Sequence, residues 1–227
     1  MQAIVIQTFI AAPPTNVWAA LFAETDLLFD GLPVKAWPAR REEQAPLHFT
    51  VDWPGTPEPT EVAVTLREMG GGVRVDVRHA GWREGAGAAW DDAIQGHFAG
   101  WLHGLAALGA LLEHGVDARA STPALRAAER YLISGEVPAE PSPIWRSLTD
   151  REALERWSDG VLDGAAAVEQ VEDRFLRWRL ASGGELVAVL RPTPRGTHVA
   201  LAEYGVTDKA ASARWPQMFE RLTRFLV

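Results

Sequence analysis

The sequence contains no cysteine among its 227 residues. Disulfide frameworks, thiolate metal sites, iron–sulfur clusters and cysteine nucleophiles all need that side chain, so each is excluded. Long apolar runs are also missing. The longest weakly charged stretch, residues 98–112, is shorter than the about 20 apolar residues that a membrane-spanning helix needs. No basic leader precedes the first apolar run, so we expect a cytoplasmic protein without a secretory signal or a membrane partner.

Positive charge is scarce in the first half of the chain. Residues 1–115 carry seven basic and fourteen acidic side chains, and residues 116–227 carry fifteen and sixteen. A surface without a basic stripe argues against nucleic acid, because nucleic-acid binding depends on neutralising phosphates. At 47% hydrophobic and 23% charged residues, the chain has the composition of a folded globular protein.

Sequence signatures of chemistry are absent as well. His97 and His103 are six residues apart, whereas metal-binding histidines on one helix are usually four apart, so no metal site is expected. The chain has no Gly-x-Ser-x-Gly, no phosphate-binding glycine loop and no dinucleotide fingerprint. We therefore predict no catalytic residue, no metal and no cofactor.

An internal repeat is the most informative feature that is present. Three blocks of the first half recur in the second half in the same order, at offsets of 127, 124 and 114 residues. Three collinear blocks predict two tandem domains of one fold. The domain boundaries follow as 1–115 for a complete copy, 116–129 for a linker and 130–227 for a shortened, divergent copy. The paired blocks are 10–21 with 137–148, 71–81 with 195–205, and 101–112 with 215–226.

Hydrophobic periodicity predicts the same element order in each half. Period-two alternation indicates strands, and apolar spacings of three and four indicate helices. The first half is predicted to contain strands at 4–10, 47–53, 61–68 and 73–82, a short helix after Pro13-Pro14 and a long helix from about 88 to 113. The second half is predicted to contain strands at 130–137, 165–170, 173–180, 184–192 and 196–206, and helices at 141–149 and 208–227.

The apolar face of the first long helix should cover the sheet. It is predicted to carry Ile94, Phe98, Trp101, Leu105, Leu108 and Leu112. Trp215 occupies the position of Trp101 in the second copy, so both are expected in a core. Three glycines at 96, 100 and 104 recur on the helix, which indicates either close approach to the sheet or room for a ligand.

The blocks IAAPPTNVWAAL, GGVRVDVRHAGW and AGWLHGLAALGALLEHG resemble a known family. They are similar to the helix-grip (SRPBCC) superfamily of the START and birch-pollen-allergen type, in the branch of the heat-shock-protein-90 ATPase activator homologues. The resemblance implies an α+β fold in which each copy wraps a curved antiparallel sheet on a long C-terminal helix, with two short helices after the first strand. It further implies a cavity between sheet and helix that suits an apolar or amphipathic molecule.

Strand parity selects one titratable residue. If Val75 and Val77 face inward, His79 does too, because successive strand residues alternate sides. The corresponding residue of the second copy is Glu203. Such a group could orient the polar end of a ligand, transfer a proton, or simply be a histidine bonded to a neighbour in the core.

Tryptophan is unusually frequent, with ten in the chain. Trp18 and Trp145 repeat at the same helix position and are interpreted as core residues. Trp53, Trp82 and Trp90 lie at strand ends or in the glycine-rich approach to the long helix, where they could equally line a cavity or pack in a core. The predicted ligand-binding residues are Trp53, His79, Trp82, Trp90, Phe98 and Trp101.

Three functions remain open at this point. The first is non-catalytic binding of a small hydrophobic or amphipathic molecule in the cavity of the first domain, whose long helix should enclose more volume than the shorter second one. The second is a chaperone-accessory or other protein-binding module, as the family resemblance implies. The third is a cyclase, dehydratase or hydrolase, against which the lack of a convergent acid–base pair argues.

Overall fold

The chain forms two compact units, Met1–Gly115 and Val116–Val227. A computed structural model describes residues 2–23, 28, 47–51, 60–82, 88–128, 130–205 and 211–226, with the backbone alone at 2, 51, 88–93, 211 and 212. No helix in these residues is both long and apolar enough to cross a membrane.

A four-stranded antiparallel sheet forms the centre of the first unit, with the strand order β1-β4-β3-β2. Helix α1 begins at Pro14. At the first position of a helix the backbone N–H has no acceptor within the helix, so proline loses no hydrogen bond there. The elements are β1 (Gln2–Ile10), α1 (Pro14–Ala23), β2 (Leu47–Val51), β3 (Thr60–Met69), β4 (Gly72–Trp82) and α2 (Ala88–His114).

One face of this sheet carries the core of the first unit. Along β4, Val73, Val75 and Val77 are buried, while the residues between them are partly exposed, which is the alternation that the sequence predicts. Trp101 and Leu105 of α2 belong to the same core. Each such side chain contributes roughly 1.5–3 kcal/mol when it is removed from water.

The second unit contains a five-stranded antiparallel sheet of order β5-β9-β8-β7-β6. Its terminal helix is 16 residues long, against 27 for α2. The whole arrangement is α+β and compatible with the helix-grip fold. The elements are α3 (Pro123–Arg126), β5 (Arg130–Val137), α4 (Pro141–Thr149), α5 (Arg151–Ser158), β6 (Ala166–Val171), β7 (Phe175–Arg179), β8 (Glu185–Thr193), β9 (Gly196–Tyr204) and α6 (Ala211–Leu226).

Two glycines make the same close contact in the two units. A Cβ atom at Gly72 would lie 2.3 Å from the carbonyl oxygen of Ile10, and one at Gly196 would lie 2.2 Å from the carbonyl oxygen of Val137. Real Cβ atoms do not approach backbone so closely, so only glycine fits. The contact joins the start of the last strand to the end of the first strand in each unit.

The segment predicted as a linker at 116–129 is part of the second unit. Arg177 of β7 donates to the carbonyl oxygens of Asp117 and Arg119, at 2.6 and 2.5 Å. The backbone N–H of Ser121 donates to Glu185 of β8 at 2.8 Å. These side chains bind the segment to the sheet, and composition alone could not reveal them.

Two of the three predicted glycines of α2, Gly96 and Gly100, stand beside open space, whereas Gly104 is buried. A Cβ atom at Gly96 or Gly100 would meet no atom within 4 Å. Close backbone approach, one of the two readings of these glycines, is therefore wrong at both positions. Each costs about 1 kcal/mol against alanine within a helix, and no contact accounts for that cost.

Candidate functional site

His79 lies in a buried cluster at the end of β4. It is fully buried, on the same side of the strand as Val75 and Val77, as parity predicts. The indole N–H of Trp101 on α2 donates to its Nδ1 at 3.1 Å, and its Nε2 lies 2.8 Å from the hydroxyl of Thr60 on β3. Because Nδ1 accepts, the ring proton resides on Nε2, and the imidazole is neutral.

Aromatic rings surround this imidazole. Trp82 is fully buried, packs edge-on to His79 with the ring centres 4.6 Å apart, and donates its indole N–H to the backbone carbonyl of His79 at 3.1 Å. The ring of His97 lies 4.8 Å from that of Trp82 and 5.7 Å from that of His79. The cluster joins β3, β4 and α2 through hydrogen bonds and ring contacts.

Burial lowers the pKa of His79 to about 3, and the charge of nearby His97 adds to the effect. The folded value thus lies well below the ordinary value of 6.5. Taking the imidazolium out of water is the main cause, since the neutral ring already satisfies its hydrogen bonds. His79 is thus held neutral across the physiological pH range, with its nitrogen atoms engaged in the core.

Replacing His79 with glutamine is expected to reduce the acid sensitivity of the first unit. Between pH 6.5 and 3, His79 is protonated in the unfolded chain but not in the folded chain, so the free energy of unfolding falls as the pH falls. Lowering the pH from 7 to 5 should therefore destabilise the natural first unit by about 2 kcal/mol more than the variant. Native-state hydrogen exchange, read on peptides from residues 1–115, measures the difference.

Peptides from residues 116–227 provide the internal control for this experiment. They contain His198, whose pKa burial and the charge of Arg191 lower to about 4, and this residue is unchanged in both proteins. Their acid sensitivity should be the same with and without the substitution. An identical pH dependence of the first-unit peptides in the two proteins would show that His79 does not carry it.

The structure brings together only part of the predicted ligand-binding set. His79, Trp82 and Trp101 form the buried cluster, whereas Phe98 is 40% exposed and lies outside it. Phe98 is about 60° around the helix from Trp101, at the margin of the apolar stripe. Trp53 and the side chain of Trp90 lie outside the described residues.

The second unit has a charged counterpart of the His79 site. Glu203 on β9 is 8% exposed and accepts the indole N–H of Trp215 on α6. Nη2 of Arg214 donates to both of its carboxylate oxygens, at 2.9 and 3.2 Å. In each unit, the terminal-helix tryptophan therefore donates its indole N–H to a titratable side chain of the last strand.

A cavity of about 720 Å³ opens in the second unit between the sheet and the helix pair α4–α5. Its walls come from the end of α4, from α5, from the turns at 160–165, and from β6 and β7. Five large apolar side chains line it, and all but one are buried. These side chains are Leu148, Leu154, Leu162, Leu176 and Trp178.

Polar side chains share the lining of this cavity. Arg151 and Glu155 form an exposed ion pair of 2.9 Å along α5, and Gln170 projects from β6. Ser158 closes α5, is buried, and has an Oγ with no hydrogen-bond partner among the residues that the structure describes. An apolar wall with a few polar groups is typical of small-molecule sites.

This cavity is not where the sequence analysis places the working pocket. That expectation compared the lengths of the two terminal helices, but no residue of α6 lines the large cavity. Its volume depends on how α4 and α5 rest on the sheet, which helix length does not determine. Trp178 of β7 forms part of its wall.

The resemblance implies a second short helix after the first strand, but the periodicity analysis placed none at 151–158, where α5 lies. The signal for this helix was present, because Asp150 is a favourable first-turn cap and does accept the backbone N–H of Ala153 at 2.8 Å. Leu154 and Trp157 follow at a helical spacing.

Within the described part of the chain, no group of three or more histidine, aspartate and glutamate side chains could hold a metal ion.

Comparisons with known proteins give weak likenesses. No protein-family model matches the chain, and no curated protein matches it. The chain is similar to the Aha1 dimer from Colwellia psychrerythraea, at 16% identity over 43% of this chain and 96% of that one, with a TM-score of 0.37. It is similar to the AHSA1-like protein from Aeromonas hydrophila, at 16% identity over 43% of this chain and 92% of that one, with a TM-score of 0.37.

A further similarity extends over the whole chain. DynU16, from the dynemicin biosynthetic locus, shares 15% identity over 100% of this chain and 96% of its own, with a TM-score of 0.43. No conclusion about function follows from similarities at this level.

Proposed function

We propose that the protein binds a small amphipathic molecule, and that the binding site is the large cavity of the second unit. The observation that carries the proposal is the cavity itself. At about 720 Å³ it lies within the range of about 300–1,000 Å³ that is usual for small-molecule sites. It is large enough for a ligand of several rings or a branched chain.

The lining supports a ligand with an apolar body and a polar end. Leu176 and Trp178 project from β7 and offer the apolar body a buried surface. Arg151 and Gln170 can hold polar groups nearer to solvent. A buried hydroxyl without a partner costs about 1–3 kcal/mol, so a polar ligand atom that reached Ser158 would recover part of that cost.

The first unit offers less support for a binding site. Its predicted residues His79, Trp82 and Trp101 use their polar atoms on one another and on Thr60. A ligand would have to break these bonds to use them. The open space beside Gly96 and Gly100 favours the first unit, and a variant at Gly100 can test it.

A fluorescent amphipathic probe tests the proposal on the full chain. We expect 1-anilinonaphthalene-8-sulfonate to bind at one saturable site with increased fluorescence. Ala167 on β6 is exposed and lines the cavity, so Ala167→Trp should fill its mouth and weaken binding by about ten-fold or more. The neighbouring Val168 is 45% exposed and does not line the cavity, so Val168→Trp is the matched control and should bind as the natural protein does.

A further variant separates the two units. Gly100→Trp places an indole in the open space beside α2, within the first unit. Loss of probe binding in Gly100→Trp, with normal binding in Ala167→Trp, would move the site to the first unit. Equal binding by Ala167→Trp and Val168→Trp would overturn the proposed site directly.

We further propose that the two units are tandem copies of one helix-grip fold. The strand order β1-β4-β3-β2 corresponds position by position to β5-β9-β8-β7, and β6 extends the second sheet. The paired glycines Gly72 and Gly196, and the paired contacts of Trp101 and Trp215, support the same interpretation. In this proposal the two copies differ in which one binds the ligand.

A further inference from the structure

A smaller cavity of about 160 Å³ lies beside Glu203 in the second unit. Trp215, Arg214 and Leu180 are among the side chains around it. It shares Leu162, Asp163 and Ala165 with the large cavity, so the two spaces adjoin along this short segment. The small cavity is thus next to the proposed ligand site.

The carboxylate of Glu203 has hydrogen-bonding capacity left. Oε2 accepts from both Arg214 and Trp215, whereas Oε1 accepts only the longer branch from Arg214 at 3.2 Å, within the described part of the chain. A carboxylate offers about four acceptor positions. Oε1 can therefore accept a hydrogen bond from a group that enters the small cavity.

The charges around the cavity select a neutral donor. Glu203 and Arg214 form an ion pair of 2.9 Å, so their charges balance. Because the pair is neutral overall, a charged ligand group would gain little net attraction from it and would lose part of its hydration beside Glu203, which is 8% exposed. Asp163 is exposed, where solvent and salt screen it. An uncharged hydroxyl avoids the penalty of a desolvated charge.

The size of the cavity selects a single ring. A buried cavity of about 150 Å³ accommodates benzene, and this one is about 160 Å³. The aliphatic side chains of Leu162 and Leu180 and the indole of Trp215 provide apolar walls. One six-membered ring with a hydroxyl group fits both the volume and the acceptor.

We propose that the small cavity binds a hydroxyl-bearing ring, whose O–H donates to Oε1 of Glu203. This ring would be the polar end of the amphipathic ligand. The rest of that ligand, in the large cavity, rests on the proposed function. A single-ring probe tests the small cavity by itself.

Phenol is the probe, titrated into the full chain by calorimetry, and anisole is its matched analogue without a donor. We expect phenol to bind saturably and anisole to bind about ten-fold more weakly, because hydrogen bonds to a charged acceptor are strong. Benzylammonium and benzoate carry the two charges and should bind more weakly than phenol. Equal binding of phenol and anisole, or tighter binding of either charged probe, would overturn the proposal.

Two alanine-to-tryptophan variants locate the phenol. Ala181 is exposed and lines the small cavity but not the large one, so Ala181→Trp should abolish phenol binding without disturbing the Glu203–Arg214 pair. Ala213, on α6 beside Arg214, is exposed and does not line the cavity, so Ala213→Trp is the control. Unchanged binding in Ala181→Trp would refute the assignment even if phenol binds elsewhere.

The outcomes for the two cavities can be told apart. Normal binding of the naphthalene probe without any phenol binding would support the proposed function and contradict the proposal for the small cavity. Phenol binding that Ala181→Trp abolishes, in a protein that fails to bind the larger probe, would support the small site and contradict the large one.

Discussion

Replacing Trp215 with alanine is expected to lower the free energy of unfolding of the second unit by about 3–5 kcal/mol. Trp215 is 1% exposed, and its removal leaves a void in the core between α6 and the sheet. It also removes the indole N–H from Glu203, a buried carboxylate that then keeps only its bonds to Arg214 among the described residues. The shift of the denaturant midpoint, read on second-unit peptides, measures the effect.

Two controls separate packing from hydrogen bonding. Trp145 on α4 is only partly buried, so Trp145→Ala should cost clearly less for the same change of side chain. Trp215→Phe keeps most of the ring and loses the donor, so its effect should lie between those of the natural protein and the alanine variant. A loss below about 1 kcal/mol in Trp215→Ala would mean that the residue is not a core residue. Trp101→Ala should behave in the same way for peptides of the first unit.

Replacing Arg177 with alanine is expected to destabilise the second unit by a similar amount, about 3–5 kcal/mol. Arg177 is 4% exposed and forms an ion pair with Glu185, which is 2% exposed, at 3.4 Å. Burial alone would raise the pKa of Glu185, but hydrogen bonds from Ser121 and the charge of Arg177 hold that pKa below its ordinary value. Without Arg177, a buried carboxylate loses its cation, and two backbone carbonyls lose their donor.

The neighbouring Arg179 supplies the control for this prediction. It lies two residues further along β7 and is exposed, so Arg179→Ala should change the stability by less than about 0.5 kcal/mol. The pair Arg177→Met and Glu185→Leu in one protein should be less destabilised than Arg177→Met alone, because no unpaired charge is then buried. Additive losses in the double variant would show that the ion pair does not account for the effect.

Most helices and strands could be predicted from the sequence because their hydrophobic periodicity is strong. The long helix is predicted at 88–113 and runs from Ala88 to His114, and the strand predicted at 130–137 has those bounds. Alternation along β4 correctly gave the buried side of His79, and the spacing of three and four gave the buried side of Trp101. Each of these rules concerns a single element and its own period.

The sites depend on relations between elements, which no single period contains. That Trp101 reaches the ring of His79 depends on how α2 crosses β4, and the 720 Å³ cavity depends on how α4 and α5 rest on β6 and β7. Periodicity is also insufficient at the edge of an apolar helix face. Phe98 has the spacing of a core residue, but a residue at that edge can face either the solvent or the core. Trp53 and the side chain of Trp90, which the site prediction included, lie outside the described residues.

The attachment of residues 117–121 to the second sheet determines where this chain can be divided. A recombinant fragment that starts at Arg130 would lack the carbonyl oxygens that accept from Arg177 and the serine that binds Glu185. Arg177 and Glu185 would thus lose their hydrogen bonds to this segment and keep their ion pair with each other. A fragment that starts at Val116, the first residue of the second compact unit, retains all of them. Expression boundaries should therefore be set by these hydrogen bonds rather than by the end of the polar, alanine-rich stretch.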